Sequence, residues 1–264
     1  MDCARTLDQF YTRRDVAAAC IAVAQRIASD RGGRWLWIEP SAGDGAFLET
    51  MAFPRVALDI APRRSDISQI DFLEWKPGKS EYRLAVVGNP PFGKNASLAR
   101  RFFNHAAGFA DLIAFILPRT FQKETFVEGL DPLMHLIEES VLELDSFEFE
   151  GQPYSVPTVF HVWERRASER IPRRLERKHE HFSFVGSAQA DFAFQRVGAR
   201  AGLVSHRGLR MSPQSHYFLK SHIDAGQLFE RLARIDWSPI KLRTAGNPSI
   251  GKGELVSTYA ALHG

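Results

Sequence analysis

The apolar segment LAVVG is followed directly by four residues whose types suggest chemistry: Asn89, Pro90, Pro91 and Phe92. Because proline has no N–H to donate, a proline pair at the end of a strand fixes the loop and leaves carbonyl oxygens outside the ladder. The Asn89 side-chain oxygen and the Pro90 carbonyl would then form a rigid pair of hydrogen-bond acceptors beside the Phe92 ring. Such a pair can accept both protons of a ring-bound amino group and direct its lone pair at an electrophile. The alternative is a tight turn whose Phe92 ring fills the core.

A glycine-containing turn lies earlier in the chain, where the apolar run WLWIE leads into PSAGDGAFL. Glycines there let a ligand approach the backbone, and a following helix would present unpaired N–H groups. Two acids, Glu39 and Asp44, flank the glycines. Carboxylates repel a pyrophosphate but suit a ligand that carries an ammonium or a sulfonium, such as S-adenosyl-L-methionine. The alternative is that Asp44 only caps the helix. The turn residues expected to bind the ligand are Glu39, Pro40, Ser41, Gly43, Asp44 and Gly45.

Two further acids end the next apolar segments. Asp59 ends the run RVALD about 20 residues after the first turn, where an acid can accept both ribose hydroxyls of an adenosyl group, with Ile60 beside it. Asp71 precedes Phe72, so a carboxylate that accepts from an adenine amino group would lie next to an aromatic wall. An aspartate at a turn is by default a turn residue. The order and spacing of the acids favour a nucleoside pocket.

The chain resembles the class I S-adenosylmethionine-dependent methyltransferases, specifically the adenine-N6 DNA methyltransferases, in these motifs: EPSAGDGAF (39–47), Asp59, Asp71 with Phe72, and NPPF (89–92). The cofactor motifs precede NPPF, as in the gamma arrangement of that family, and the resemblance covers about residues 9–165. It implies a Rossmann-like α/β domain with a seven-stranded, mostly parallel sheet and a terminal antiparallel hairpin. It also implies S-adenosyl-L-methionine as cofactor, no metal, and site-specific methylation of an adenine flipped out of duplex DNA.

The resemblance also assigns roles to individual residues. The catalytic loop would be Asn89, Pro90, Pro91 and Phe92, with Asn89 also at the cofactor. The segment QFYTRRDVAAACI (9–21) is similar to the segment that closes over the cofactor in the family, so Tyr11 and Thr12 are expected to contact it, although Arg13 stands where the family usually has proline. A second aromatic side chain would stack on the flipped base opposite Phe92. The sequence does not select among the aromatic residues that could do so, which are Phe147, Phe149 and Tyr154.

The hydrophobic periodicity indicates how these motifs are positioned, since residues 1–163 alternate short apolar runs with longer amphipathic ones. The predicted strands are WLWIE (35–39), RVALD (55–59), a short strand near Ile70, LAVVG (84–88), DLIAFILP (111–118), VLELDSFEFE (141–150) and TVFHVWER (158–165). The predicted helices are RDVAAACIAVAQRIA (14–28), a segment opening at Asp44, SLARRFFNHAA (97–107) and DPLMHLIEE (131–139). The last two strands, joined by GQPYSVP, are predicted to form the antiparallel hairpin.

The pattern changes after the predicted methyltransferase domain, residues 1–165. Residues 166–181 form a charged linker, and residues 182–264 form a small α+β extension that contains HFSFVG, DFAFQRVG, HYFLKSHI, a helix QLFERLARI and a Gly/Pro-rich end. The extension is small for a complete DNA-recognition domain. We therefore expect that it contributes to DNA recognition or to a homodimer that shares this task.

The charge distribution is compatible with a nucleic-acid substrate. Residues 1–163 hold 17 Lys and Arg against 22 Asp and Glu, a net charge of −5, whereas residues 182–264 hold 10 against 5, a net charge of +5. Phosphate contacts supply most of the sequence-independent affinity for nucleic acid. The linker mixes both signs, so a salt-bridged, solvated segment is the alternative. The basic residues expected to contact nucleic acid are Lys94, Arg165, Arg166, Arg173, Arg174, Arg207 and Arg210.

Composition and short motifs exclude several classes of protein. The chain is 44% hydrophobic and 25% charged, which is typical of a globular protein and not of a disordered or fibrous one. Its longest apolar runs, such as LIAFIL at 112–117, are far shorter than the roughly 20 residues of a membrane span, and the start has no apolar signal region. We therefore expect a cytoplasmic protein, of bacterial or phage-like type. Two cysteines exclude a disulfide framework and a four-cysteine zinc site. The run GNPSIGKG (246–253) lacks the hydroxyl residue of a phosphate loop.

Three alternatives remain open. RNA adenine-N6 methylation uses similar loops and avoids the cost of unpairing a duplex. A glutamine-N5 protein methyltransferase also holds a planar amide in such a loop, but usually with tyrosine in place of Phe92. A protein that has kept the fold without catalysis would bind nucleic acid and no cofactor.

Overall fold

The computed structural model describes residues 10–149, 151–173, 175–206, 210–244 and 246–263. The chain divides into two compact units. The described part of the first lies within Met1–Phe121 and Thr125–Ile171, and that of the second within Gln122–Glu124 and Pro172–Gly264. In the described ranges, no helix is both long and apolar enough to cross a membrane.

The first unit is built on a seven-stranded sheet. Its strands in chain order are β2 (Trp35–Glu39), β3 (Arg55–Asp59), β4 (Ser68–Gln69), β5 (Arg83–Gly88), β6 (Leu112–Pro118), β7 (Met134–Val141) and β10 (Thr158–Arg165). Their order across the sheet is β4-β3-β2-β5-β6-β10-β7. The first five strands pair in parallel, whereas β10 is antiparallel to both β6 and β7. This mixed α/β, Rossmann-like sheet confirms the predicted fold class.

Helices cover both faces of the sheet because its central strands are apolar on both faces. In β5, Val86 packs into one core and Val87 into the other, and all seven residues of β6 are buried. The helices of the chain up to residue 127 are α1 (Arg14–Arg31), α2 (Ser97–Ala107) and the single turn α3 (Glu124–Val127). The α1 side chains Ala17, Ile21 and Ala24 lie in the Val87 core, and α2 packs into the Val86 core. Both helices were predicted, and the structure confirms them.

The prediction of a helix over 131–139 was wrong, because this segment contributes the edge strand β7. Met, Leu and Glu favour a helix in isolation. Here the backbone of β7 instead pairs with β10 along its length, from Val159↔Val141 to Arg165↔Met134. The predicted strand 141–150 is interrupted as well. A turn follows Val141, in which the Ser146 hydroxyl donates to the Glu143 carbonyl at 2.7 Å, and the chain leaves the large sheet.

After this turn the chain enters a small antiparallel sheet. Its order is β1-β8-β9, formed by β1 (Tyr11–Thr12), β8 (Phe147–Phe149) and β9 (Gln152–Tyr154). Tyr11 lies opposite Glu148, and Thr12 opposite Phe147. The segment GQPYSVP, predicted as a simple connection, therefore supplies a strand. The antiparallel pair β7 and β10 exists, but the β8–β9 hairpin separates its strands in the chain.

The predicted helix that opens at Asp44 was also wrong. The residues after β2 form consecutive turns, in which Gly45 N–H donates to Ala42 O at 2.6 Å and Leu48 N–H to Gly45 O at 3.0 Å. Gly43 and Gly45 have φ angles of 54° and 83°, in the left-handed region that interrupts a right-handed helix. Asp44 therefore caps no helix here, because the residues that follow it form turns.

The second unit contains a four-stranded antiparallel sheet with helices. The strands, in the order β11-β14-β12-β13, are β11 (Phe182–Val185), β12 (Phe192–Gln195), β13 (Val204–Ser205) and β14 (His216–Ser221), and the helices are α4 (Ala225–Ala233), α5 (Ser238–Lys241) and α6 (Lys252–His263). Its core includes Phe192, Leu228 and Tyr259. Helix α6 occupies the end of the chain that the sequence indicated only as rich in Gly and Pro. In the first turn of this helix, the Glu254 side chain accepts a hydrogen bond from Gly251 N–H at 2.7 Å.

Candidate active site

The carboxyl ends of β2, β3 and β5 border a cavity of about 330 Å³ in the first unit. Ligands of open α/β sheets bind at this edge, where the loops after the strands converge. The structure brings most of the predicted cofactor and catalytic residues together here, namely Tyr11, Thr12, Glu39, Pro40, Ser41, Gly43, Asp44, Asp59, Ile60, Asp71, Phe72, Asn89, Pro90 and Pro91. Gly45 and Phe92 are not among the residues that line the cavity.

Asp59 organises the glycine-containing turn. Its Oδ2 accepts from Gly43 N–H and its Oδ1 from Ala61 N–H, both at 2.7 Å, which fixes the carboxylate in the cavity wall. An ionised carboxylate has about four lone-pair positions. Each oxygen therefore keeps the capacity to accept a further hydrogen bond, as the ribose role requires.

Gly43 allows the N-terminal strand to cover the turn. A Cβ atom at Gly43 would lie 3.0 Å from Cε1 of the Tyr11 ring. The Arg63 guanidinium also contacts that ring, 4.5 Å from the ring centroid, in a cation–π geometry. These contacts hold Tyr11 over the turn, and the sequence did not predict them. The arginine pair at 63–64, which follows Asp59, was the signal that could have indicated them.

Glu39, at the end of β2, is a buried acid without a full set of partners. It is 1% exposed, and its Oε2 has no hydrogen-bond partner among the described residues. Burial raises the pKa of this carboxyl well above its usual value, and the negative charges of Asp44 and Asp59 raise it further. A buried acid in such surroundings is stabilised by a cation or a hydrogen-bond donor in the cavity.

Two more buried oxygens on the cavity wall lack partners in the described part of the chain, Thr12 Oγ1 and Asn89 Oδ1. Buried polar atoms are normally hydrogen-bonded, so each such exception requires a reason. Together with Glu39 they form a set of acceptors, which fits a ligand that carries N–H or O–H donors and positive charge. S-adenosyl-L-methionine has an ammonium, a sulfonium, ribose hydroxyls and an adenine amino group, and the residues fit it.

Asp71 and Phe72 have structural roles as well as their place in the wall. Asp71 Oδ1 accepts from Leu73 N–H at 2.8 Å, the turn geometry expected of an aspartate by default. Phe72 is 1% exposed and packs against Phe102 and Trp75. Its ring is therefore a fixed apolar surface on which a planar group can rest.

The Asn89 loop is tied to the glycine-containing turn. The Ser41 hydroxyl donates to the Asn89 carbonyl oxygen at 3.1 Å, which leaves the Asn89 side chain for the cavity. The Phe92 carbonyl accepts from the N–H groups of Leu98 and Ala99 at 3.1 and 3.2 Å and so joins the loop to α2. The Asn89 side chain and the acidic motifs therefore line the same cavity.

The Phe92 ring is 7% exposed and packs in the core on the α2 side of the sheet. A ring that the sequence did not single out, Phe10, lies against it with 5.2 Å between centroids. Of the aromatic residues expected opposite Phe92, Phe147 is fully buried, whereas Phe149 is half-buried and Tyr154 is 43% exposed. Phe10 also touches Tyr154, and its position next to Tyr11 was the signal that could have identified it.

The basic residues predicted to contact nucleic acid do not form one group. Lys94 is exposed on the loop after Phe92, and Arg101, which the sequence analysis omitted, lines the cavity from α2. Arg165 and Arg166 lie at the other edge of the sheet, because β10 is antiparallel and its end pairs with the beginning of β6. Arg165 Nε donates to Ala110 O at 3.0 Å, and Arg166 pairs with Glu164 at 3.8 Å.

The remaining predicted basic residues lie in the second unit. Arg173 pairs with Glu124 at 3.7 Å, and Arg210 is exposed. Arg174 and Arg207 lie outside the described residues. In the described ranges, no group of three or more His, Cys, Asp or Glu side chains has an arrangement suited to a metal ion.

No family model matches the sequence, and no curated protein matches it either. Similar solved structures include a candidate RNA methyltransferase from Pyrococcus horikoshii, 17% identical, over 60% of this chain and 88% of that one, with a TM-score of 0.47. The N-methyltransferase NodS from Bradyrhizobium japonicum is 14% identical over 57% of this chain and 97% of that one, with a TM-score of 0.40. A type I restriction-modification methyltransferase subunit from Streptococcus thermophilus is 15% identical over 69% of this chain and 48% of that one, with a TM-score of 0.44. Similarity at this level is a likeness of backbone only, so the activity is argued from the residues of the site.

Proposed function

We propose that this protein methylates the N6 atom of adenine in duplex DNA, with S-adenosyl-L-methionine as methyl donor. One observation carries the proposal: Asn89 Oδ1 of the NPPF loop and Oε2 of the buried Glu39 border the same cavity, and neither has a hydrogen-bond partner in the described part of the chain. The first suits an amino group that must be made nucleophilic, and the second suits a cationic cofactor.

The acidic motifs would hold the cofactor. Glu39 would accept from its ammonium group and balance its positive charge, and Asp59 would accept from the ribose hydroxyls. Asp71 would accept from the adenine amino group of the cofactor, between the exposed side chain of Ile60 and the buried ring of Phe72. When bound, this cofactor would supply a methyl group on a positively charged sulfur: transfer would break the methyl–sulfur bond, leave its electron pair on a neutral thioether and release one proton of the amino group to solvent.

The NPPF loop would prepare the target amine. The lone pair of an adenine amino group is delocalised into the ring, so the nitrogen is a weak nucleophile. Asn89 Oδ1 and the Pro90 carbonyl would accept its two protons, which favours a pyramidal nitrogen whose lone pair faces the methyl group. The adenine must leave the helix to reach this position, at a cost of a few kcal/mol.

The test is methyl transfer from labelled S-adenosyl-L-methionine to matched duplex DNA, single-stranded DNA and structured RNA, followed by nucleoside analysis. We expect N6-methyladenine in duplex DNA, and a loss of about a hundredfold in rate for Asn89→Ala, since one positioned hydrogen bond to the reacting group is worth that order. Asn104→Ala is the matched control, because it removes an amide that bonds Gly129 and Asp131 outside the cavity.

Each other outcome has a defined meaning. Label in RNA alone would replace DNA by RNA as substrate. A loss smaller than about tenfold for Asn89→Ala would remove the assigned role of this side chain. Binding of DNA without binding of S-adenosyl-L-methionine would favour a non-catalytic protein of the same fold.

A further inference from the structure

Phe10, which directly precedes β1, lies within a cage of three aromatic rings. Its ring centroid is 5.2 Å from that of Phe92, 4.9 Å from Phe147 and 5.5 Å from Tyr154. The contacts to Phe92 and Phe147 are edge-to-face, at 69° and 77°, whereas the Tyr154 ring is tilted by only 34°. Phe10 therefore fills the space between the NPPF aromatic and the most exposed aromatic of the small sheet.

Phe10 also takes the place of Phe92 in the cavity wall. Phe10 lines the cavity together with Asn89, Pro90 and Pro91, whereas the Phe92 ring is 7% exposed. An adenine whose amino group is held by Asn89 and whose ring rests on Phe92 would need the space that the Phe10 ring occupies. The proposed reaction thus requires that Phe10 leave this position.

The attachment of Phe10 allows such a movement. The strand β1 consists of Tyr11 and Thr12, and within the described residues it pairs with β8 alone. Its downstream end is anchored at Arg13, whose N–H donates to Ser146 O at 3.0 Å and whose guanidinium pairs with Asp145 at 3.0 Å. Phe10 lies on the other side of this anchor.

The same strand covers the proposed cofactor turn, because Tyr11 follows Phe10 directly and its ring contacts Gly43. A movement of Phe10 therefore changes the backbone that positions Tyr11. We propose that Phe10 stands in for the target adenine in the free protein, and that its displacement couples admission of the base to the position of Tyr11 over the proposed cofactor turn. This inference rests on the proposed function, of which it deepens the base site.

The test is binding of free adenine to variants at Phe10. Removal of an aromatic side chain from an apolar cage can leave a cavity that binds an aromatic molecule. We expect Phe10→Ala to bind adenine at least tenfold more tightly than the wild type, and more tightly than it binds purine, which lacks the amino group. Asn89→Ala in the Phe10→Ala background should remove the preference for adenine over purine.

The matched control is Phe126→Ala, which truncates a half-buried phenylalanine that packs against Phe121 and does not line the cavity. This variant should bind adenine no better than the wild type. Equal adenine affinity for wild type and Phe10→Ala, or no preference for adenine over purine, would overturn the inference. Because the readout is binding, it is separate from methyl transfer: adenine binding without activity would keep the base site and reject the proposed reaction.

A second measurement decides the question if Phe10→Ala does not fold. A 4-fluorophenylalanine at position 10 reports its surroundings through the fluorine resonance. We expect this resonance to move toward the solvent-exposed position when duplex DNA and S-adenosyl-L-homocysteine are added together. An unchanged resonance in a protein saturated with DNA would show that Phe10 stays in place, and would overturn the inference.

Discussion

At the scale of single residues, Glu39 has the most unusual environment of the site. A carboxyl that is 1% exposed and borders two other acids is held neutral more easily than ionised, and burial accordingly raises its pKa well above the usual value near 4.5. A bound cation reverses this balance, because it favours the ionised form. Under the proposed role of Glu39, cofactor binding and the loss of its proton are therefore linked.

This linkage predicts that cofactor affinity depends on pH. As pH rises from about 5 towards the raised pKa of Glu39, the wild type should bind S-adenosyl-L-methionine more tightly, by at most about tenfold per pH unit for one proton. Calorimetric titration in buffers of different ionisation enthalpy should detect the released proton. Glu39→Gln cannot release a proton, so its weaker binding should be flat over the same range. A pH-independent affinity of the wild type would contradict the assigned role.

The stability of the cofactor-free protein should change in the opposite direction. Because the pKa of Glu39 is raised on folding, the folded state holds its proton more tightly than the unfolded state. The Glu39 contribution is fully present below about pH 4.5 and is lost as pH rises through the raised pKa. Glu39→Gln, which stays neutral, should show a smaller decrease in unfolding free energy across this window in denaturant titrations.

At the scale of secondary structure elements, the contact between β1 and the glycine-containing turn makes its own prediction. Gly43→Ala places a Cβ 3.0 Å from the Tyr11 ring at a φ of 54°. The left-handed backbone alone costs an alanine about 1–2 kcal/mol. Gly32→Ala also places an alanine at a positive φ, 64°, but with open space around its Cβ and outside the cavity, so it is the control for a destabilised glycine position.

We expect both variants to be less stable than the wild type in thermal unfolding, but only Gly43→Ala to weaken S-adenosyl-L-methionine binding, by about tenfold or more. The reason is that Tyr11 must move away from the turn when Gly43 gains a side chain. Equal cofactor affinity of Gly43→Ala and Gly32→Ala would indicate that the cover of Tyr11 does not serve the cofactor.

The elements also show where the sequence was sufficient. The central strands could be predicted because runs such as LIAFIL are buried on both faces, and α2 because its apolar side chains recur at helical spacing. The segment 131–139 could not, because its helical composition is overridden by pairing with β10, a partner more than 20 residues away. The turn at Asp44 was predicted as a helix because the left-handed φ of Gly43 is not visible in the sequence.

The candidate site was predictable for a related reason. Residues at the ends of parallel strands meet at one edge whatever the details of the loops, so the motifs at Glu39, Asp59 and Asn89 indicated one cavity. Phe10 and Arg63 were missed because their roles depend on contacts across the small sheet and on a loop geometry that no spacing encodes.

At the scale of the whole molecule, each unit has its own hydrophobic core. In the first unit the layers on the two faces of the large sheet are separate clusters, and the second unit has a third cluster around Phe192 and Tyr259. Of the basic residues considered for nucleic-acid binding in this unit, Lys94 and Arg101 lie near the edge of the sheet that bears the cavity, and Arg165 and Arg166 lie at the other edge. Because these cations lie at opposite edges, the position of a bound nucleic acid can be tested without knowledge of its target sequence.

The backbone of a DNA substrate must pass the edge that bears Asn89 if the proposed function is right. Exposed cations at that edge, Lys94 and Arg101, should then contact phosphates, whereas Arg166 at the opposite edge should not. Each phosphate contact that a substitution removes should reduce the magnitude of the slope of log K against log salt by about one. We therefore expect Lys94→Gln and Arg101→Gln each to weaken DNA binding about uniformly across sequences and to reduce the salt slope, in fluorescence anisotropy at several salt concentrations. Arg166→Gln is the matched control and should leave the DNA affinity and the salt slope unchanged. An effect of Arg166→Gln equal to that of Arg101→Gln would mean that the DNA does not follow the edge that bears the cavity.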